Sequence, residues 1–209
     1  MEMPVAAFRN IEVHDNINVV FTQDTVYKIM VEAGKNLLPL ISAENEGKWL
    51  VIRNNNKCNW VRSFKKNVIN VSVWGANIDS ILHFGSGDIS SANTIKSQIL
   101  TLEAKSSGNI NVAVDAATSY CNISSGVGDI TMRGFSGVSY VYLAGSGYVH
   151  CKELVTGYTF LENRGTGDCY VNVTKEIGST ISYTGNVYYS GNPPVVNSVI
   201  RGTGKLIKE

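Results

Sequence analysis

From Phe84 onward the chain alternates apolar and polar residues with a period of two, in short runs such as QILTLEA, SYCNIS, VSYVYLA, YTFLEN and STISYT. These runs are rich in β-branched and aromatic residues, as half-buried strands are. None holds the 3.6-residue period of a helix for three turns. Between them stand glycine motifs: FGSGDI, KSSGNI, SGVGDI, AGSGYV, RGTGDCYV, YTGNVYY and RGTGKLI. Their marker glycines, Gly87, Gly108, Gly128, Gly147, Gly167, Gly185 and Gly204, recur every 18 to 21 residues. Propeller blades need about 40 residues, and leucine-rich repeats carry a consensus absent here. A 20-residue coil of three short strands and three corners fits an all-β, single-stranded parallel β-helix.

Two columns define the expected interior. Two residues after each glycine come Ile89, Ile110, Ile130, Val149, Cys169, Val187 and Leu206. Ahead of the glycines come Leu102 with Ala104, Val141 with Leu143, Leu161 with Asn163, Ser179 with Ile181 and Ser198 with Ile200. Each should stack on its equivalent about 4.8 Å away. The coil ending at Gly128 holds one extra residue, since Cys121 and Ile123 sit one place further back; a bulge or widened corner accounts for it. The Gly-x-Gly corners need either positive φ or close approach between coils.

Residues 5–76 read as less regular strands or as a cap on the solenoid, and residues 77–209 as the glycine-marked coils, all within one domain. FRNIEVHD, INVVFTQ, YKIMVEAG, KWLVIRN and NVINVSVW alternate, with turns at Asp15-Asn16 and Glu46-Gly47. Residues 35–44 offer one helical turn, interrupted by Pro39. Residues 54–67 read as a polar, basic exposed loop with Trp60 and Phe64 packing back.

Composition narrows function mainly by exclusion. Eighteen basic and 17 acidic side chains leave a net charge of +1, which gives no footprint for nucleic acid. No apolar run is long enough to span a membrane. The start, MEMPVAAFRN, reads as a mature protein without a signal peptide.

The segments FRNIEVHDNINVVFTQ, YKIMVEAGKNLLPLI, KWLVIR and VSVWGANIDSILHFGSGDI, with the closing TISYTGNVYYSGNPPVVNSVIRGTGKLIKE, resemble the head GIN domain family of putative auto-transporter adhesins, frequent in Bacteroidetes. GNPPVVNSVIRGTGKLIK is the most specific part. The resemblance spans nearly the whole chain. It implies a right-handed β-helix, export to the periplasm or cell surface, no established reaction and no catalytic residues to carry over.

The candidate chemistry is sparse. The Gly-x-Gly motifs lack the third glycine and following helix of a dinucleotide site. Cys58, Cys121, Cys151 and Cys169 form no CxxC pair; the last three fall in or near inward columns and read as buried, unpaired core. His150 and Cys151 should face opposite ways on one strand. His14 and His83 have no visible partner, and the sequons at Asn70, Asn122 and Asn172 carry no weight in a bacterial protein. Asp88, Asp129 and Asp168 share the column just after the glycine. Being two coils apart, about 9.6 Å, they are too distant for one calcium ion or for a retaining glycosidase pair. They read as turn formers. No cofactor or metal is expected.

The outward aromatics are the functional lead. His150, Tyr170 and Tyr188 occupy one column on consecutive coils, with Tyr148 beside them; Tyr140, Tyr142 and Phe160 lie on another face. Stacking between coils accounts for them structurally. The functional alternative is a binding patch of Tyr148, His150, Tyr170 and Tyr188 with Asp168 alongside, for a glycan or an envelope protein. The expected role is therefore a non-catalytic, exported, adhesin-like module. The rivals are a polysaccharide-degrading enzyme on the same scaffold and a structural part of an envelope assembly.

Overall fold

The computed structural model describes residues 1–56 and 68–209. Cys58, Trp60 and Phe64, and with them most of the basic loop, lie outside the described residues. The strands are β1 (Glu2–Met3), β2 (Asn10–Val13), β3 (Ile17–Gln23), β4 (Lys28–Glu32), β5 (Ile41–Glu46), β6 (Trp49–Asn54), β7 (Ile69–Gly75) and β8 (Ser80–His83). They continue as β9 (Ile89–Ala104), β10 (Ile110–Ile123), β11 (Ile130–Leu143), β12 (Val149–Asn163), β13 (Cys169–Ile181), β14 (Val187–Ser190), β15 (Val195–Ile200) and β16 (Leu206–Lys208). All belong to one hydrogen-bonded sheet wound into a parallel β-solenoid.

Both expected columns are present. Ile89, Ile110, Ile130, Val149, Cys169, Val187 and Leu206 are cross-strand partners in that order. All but the half-buried Leu206 are fully buried. Leu102, Cys121, Val141, Leu161, Ser179 and Ser198 form the second column, and Ala104, Ile123, Leu143, Asn163, Ile181 and Ile200 lie beside them. Three separate strands per coil are not seen. β9 to β13 instead run 13 to 16 residues each and bend at register shifts, as between Thr131 and Gly134. Bulges let the ladder turn without losing its hydrogen bonds.

The corners owe their glycines to close approach. A Cβ on Gly108 would overlap the carbonyl oxygen of Gly87, one on Gly128 that of Gly108, and so on through Gly204 over Gly185. None of these marker glycines has positive φ. The extra residue before Gly128 makes the widened corner: Val127 and Gly128 both donate to the Ser106 carbonyl, and Gly126 adopts φ +89°.

The N-terminal third is both coil and cap. β3 pairs in parallel with β9 on one side and β7 on the other, while β2 lies between β6 and β8. The spatial order of coils is therefore β6/β7, then β2/β3, then β8/β9, which is not chain order. β4, β1 and β5 close this end with antiparallel pairing. The helical expectation at residues 35–44 shrinks to one 3-10 turn at Leu38–Leu40, because residue 41 onward pairs with β6.

The C-terminal end is open. Ser198 and Ile200, expected inside, are exposed, and all six residues of β15 are solvent-accessible. The column is correct but no further coil covers it.

Candidate functional site

The site lies on the face that follows the glycine corners. Its base is a ladder of Asp and Asn side chains. The Asp88 Oδ1 accepts the Asn109 backbone N–H at 3.1 Å, the Asn109 Oδ1 that of Asp129 at 2.9 Å, and the Asp129 Oδ1 that of Tyr148 at 2.7 Å. After a break at Tyr148, Asp168 accepts from Asn186 at 2.7 Å and Asn186 from Lys205 at 3.0 Å. Each side chain thus ties its own coil to the next. Upstream, Asn18 accepts from the Asp88 backbone N–H and its amide donates to Asn70. Sequence reasoning missed Asn18 and Asn70, because neither follows a Gly-x-Gly motif and their coils stack out of chain order.

Beside this ladder the four aromatic candidates come together. Tyr188 and Tyr170 have centroids 4.8 Å apart, Tyr170 and His150 5.6 Å, and His150 and Tyr148 5.9 Å, with ring planes within 15° of parallel. Parallel register produces the first two contacts, since equivalent residues on adjacent strands are one spacing apart, whereas Tyr148 and His150 lie two residues apart on one coil. Within the column the rings cover one another's faces and show their edges. Burial first, and then the nearby Asp168 carboxylate, push the Tyr170 phenol above its ordinary pKa. Along the register the column of rings ends at His150, whose partner on the preceding coil is Thr131, while Tyr148 of the same coil stacks on His150. Threonine is too short to cover an imidazole, so the column steps down there. Two adjoining hollows of about 460 and 560 Å³ share Asn111, Thr131 and His150. Arg133 and Lys152 border one; Asp88, Asn109 and Asp129 border the other. Arg133 donates to Asn111 Oδ1 at 2.6 Å, and His150 Nε2 lies 3.6 Å from Asp129. Asp168, two residues before Tyr170, is on the coil of the middle ring and lines neither hollow.

A second ladder, Tyr120, Tyr140 and Phe160, stacks at 5.0 and 5.6 Å on another face. Sequence reasoning placed Tyr140 and Phe160 there and missed Tyr120, whose coil carries the extra corner residue. The column stops at Gly178, over which Phe160 leans.

The family described as putative auto-transporter adhesin, head GIN domain, matches residues 7–193. The chain belongs to this family. Crystal structures that share the fold include the following three. A putative adhesin from Bacteroides fragilis NCTC 9343 superposes with a TM-score of 0.91 at 21 % identity, covering 100 % of this chain and 95 % of that one. A putative adhesin from Parabacteroides distasonis ATCC 8503 gives 0.72 at 18 %, with 100 % and 95 % covered. A putative lipid binding protein from the same strain gives 0.74 at 17 %, again with 100 % and 95 % covered. No curated protein matches the chain.

Elsewhere in this head GIN domain the reactive side chains serve the fold. Cys121, Cys151 and Cys169 are free and buried. A hydrogen bond with Cys151, and then burial, push the Cys121 thiol well above its ordinary pKa; burial does the same to Cys169. His83 is buried and bonds the corner that follows it. Its Nδ1 accepts from Gly85 N–H at 3.3 Å and its Nε2 donates to the Gly87 carbonyl at 2.6 Å. Asn163 repeats this two and four residues on, with Gly165 and Gly167 at 2.9 and 3.0 Å. A polar residue two places before Gly-x-Gly, where other coils carry an aliphatic one, was the available signal. Among the described residues, no three His, Cys, Asp or Glu side chains group as metal ligands, and no helix is long and apolar enough to cross a membrane.

Proposed function

We propose that this head GIN domain is a non-catalytic, exported, adhesin-like module that binds a glycan chain where the aromatic stack ends at His150. The observation that carries this reading is the step from His150 down to Thr131. It leaves His150, whose side chain is 44 % exposed, at the edge of a groove with carboxylate, amide and guanidinium groups on its margins. A pyranose can lay its apolar face on such a ring while its hydroxyls bond Asn111, Asp129 and Arg133. The rings below hold His150 rigid, which lowers the ordering cost of binding. The family description and the neighbours' names support adhesion and export. The aspartates favour binding over hydrolysis, since Asp88, Asp129 and Asp168 each hold a backbone N–H of the next coil.

A glycan array with the purified protein tests this, followed by His150→Ala and the double variant Tyr170→Ala with Tyr188→Ala. Binding by the wild type should be lost in His150→Ala with the melting temperature within a few degrees. The double variant should weaken binding by releasing His150. A wild type that binds no glycan, or His150→Ala that binds as well as the wild type, would sink the proposal.

A further inference from the structure

The open end of the solenoid is a cut core. Val196 is 44 % and Ile200 52 % exposed, while their partners one coil earlier, Ile177 and Ile181, are fully buried. The backbone is cut open as well. Arg201 N–H donates to the Ile181 carbonyl, so the odd-numbered residues of β15 turn their backbone groups toward β13. In a parallel ladder these directions alternate, so Val196, Ser198 and Ile200 point their N–H and C=O groups away from the molecule. The strand VVNSVI contains no charge or proline, the usual protections of an exposed edge. The opposite end has them: β1 is two residues long, and β5 exposes Glu44 and Glu46.

We propose that this end joins a second copy of the same chain, two-fold about Ser198, with the two β15 strands antiparallel. The geometry selects this arrangement. In an antiparallel pair, every second residue exchanges both hydrogen bonds with its partner. Centring on Ser198 puts Ser198 opposite Ser198, and Val196 of one copy opposite Ile200 of the other. These are the residues with outward-directed backbone groups. Their side chains lie in the inward columns, so the two hydrophobic cores become continuous. Ser198 already accepts from Ser179 Oγ at 2.9 Å, and its own hydroxyl can donate across the axis. Arg201, exposed and outside any ion pair among the described residues, comes opposite Val195, the strand neighbour of Glu176, which supplies opposite charge. The two-fold closes the assembly at two, because the capped end offers no matching surface.

Sedimentation velocity across a concentration series tests the assembly. The wild type should be a dimer. Ser198→Pro removes an outward-facing N–H together with the hydroxyl that accepts from Ser179, and should yield a folded monomer; Ile200→Lys, at an exposed position, should do the same without a proline. Ser198→Cys should cross-link to a disulfide dimer on mild oxidation, whereas Asn197→Cys, whose partner is Val199, should not. A wild type that stays monomeric into the millimolar range overturns the proposal. So do oligomers that grow beyond two, a dimer that survives both Ser198→Pro and Ile200→Lys, or a dimer that Ser198→Cys fails to cross-link.

Discussion

His83 and Asn163 show one task met by two chemistries. Each is buried next to a Gly-x-Gly corner, accepts an N–H two residues on and donates to a carbonyl four residues on. The histidine can do this only while neutral. Burial holds its pKa below the ordinary 6.5, outweighing the corner's hydrogen bonds. As pH falls, the unfolded chain therefore takes up this proton before the folded one. The contribution is complete above pH ~6.5 and is lost as pH drops toward the depressed folded value. His83→Asn should keep both bonds and fold. Its melting temperature should fall less than that of the wild type between neutral pH and pH ~5, a range that spans the unfolded histidine pKa; equal slopes would refute the assignment. The marker glycines are less forgiving. Gly147→Ala would push a methyl group into the Gly128 carbonyl, which is backbone and cannot swing aside. A loss of about 3 kcal/mol or more is expected in denaturant unfolding, at the upper end of overpacking costs.

At the scale of elements, the Asp and Asn ladder does what backbone pairing cannot do at a corner: it gives an N–H an acceptor on the neighbouring coil. Carboxylates and amides serve equally, as the run Asp88, Asn109, Asp129 shows. Like charges are never on adjacent coils, which avoids stacked repulsion. Asp129→Asn should therefore leave stability nearly unchanged, while Asp129→Ala should cost about 1 kcal/mol by freeing the Tyr148 N–H. Urea midpoints distinguish the two. Equal losses would mean that the charge matters and the acceptor does not. The same column bears on function, because Asp129 also lies against His150 at the step in the aromatic stack.

For the whole molecule, the two ends differ in kind. One is closed by antiparallel strands; the other stops in mid-solenoid. Position along the axis should therefore decide the cost of a charge in a single column. Ile181→Lys buries an ammonium without a partner and should unfold the protein or cost several kcal/mol. Ile200→Lys, one coil further, should lower monomer stability by about 0.5 kcal/mol or less, as an exposed site does. Thermal unfolding at concentrations too low for association makes the comparison; similar losses would mean that the last coil is covered.

The period of the glycines and the alternation between them determine the coil and its inward and outward columns, because a strand presents alternate side chains to opposite faces. That made Ile89 through Val187, the buried Cys121, Cys151 and Cys169, and the shared column of His150, Tyr170 and Tyr188 legible. The order of stacking was not legible before Phe84. There β7 leaves the chain order to stack outside β3, and only long-range pairing can decide which strand is next to which. Hence Asn18 and Asn70 were invisible as ladder members. Nor could the repeat show where it ends in space. Ile181 and Ile200 occupy equivalent places in the pattern, yet one is core and the other surface. Burial depends on a neighbour about 4.8 Å away along the axis, not on a residue's own place in the repeat.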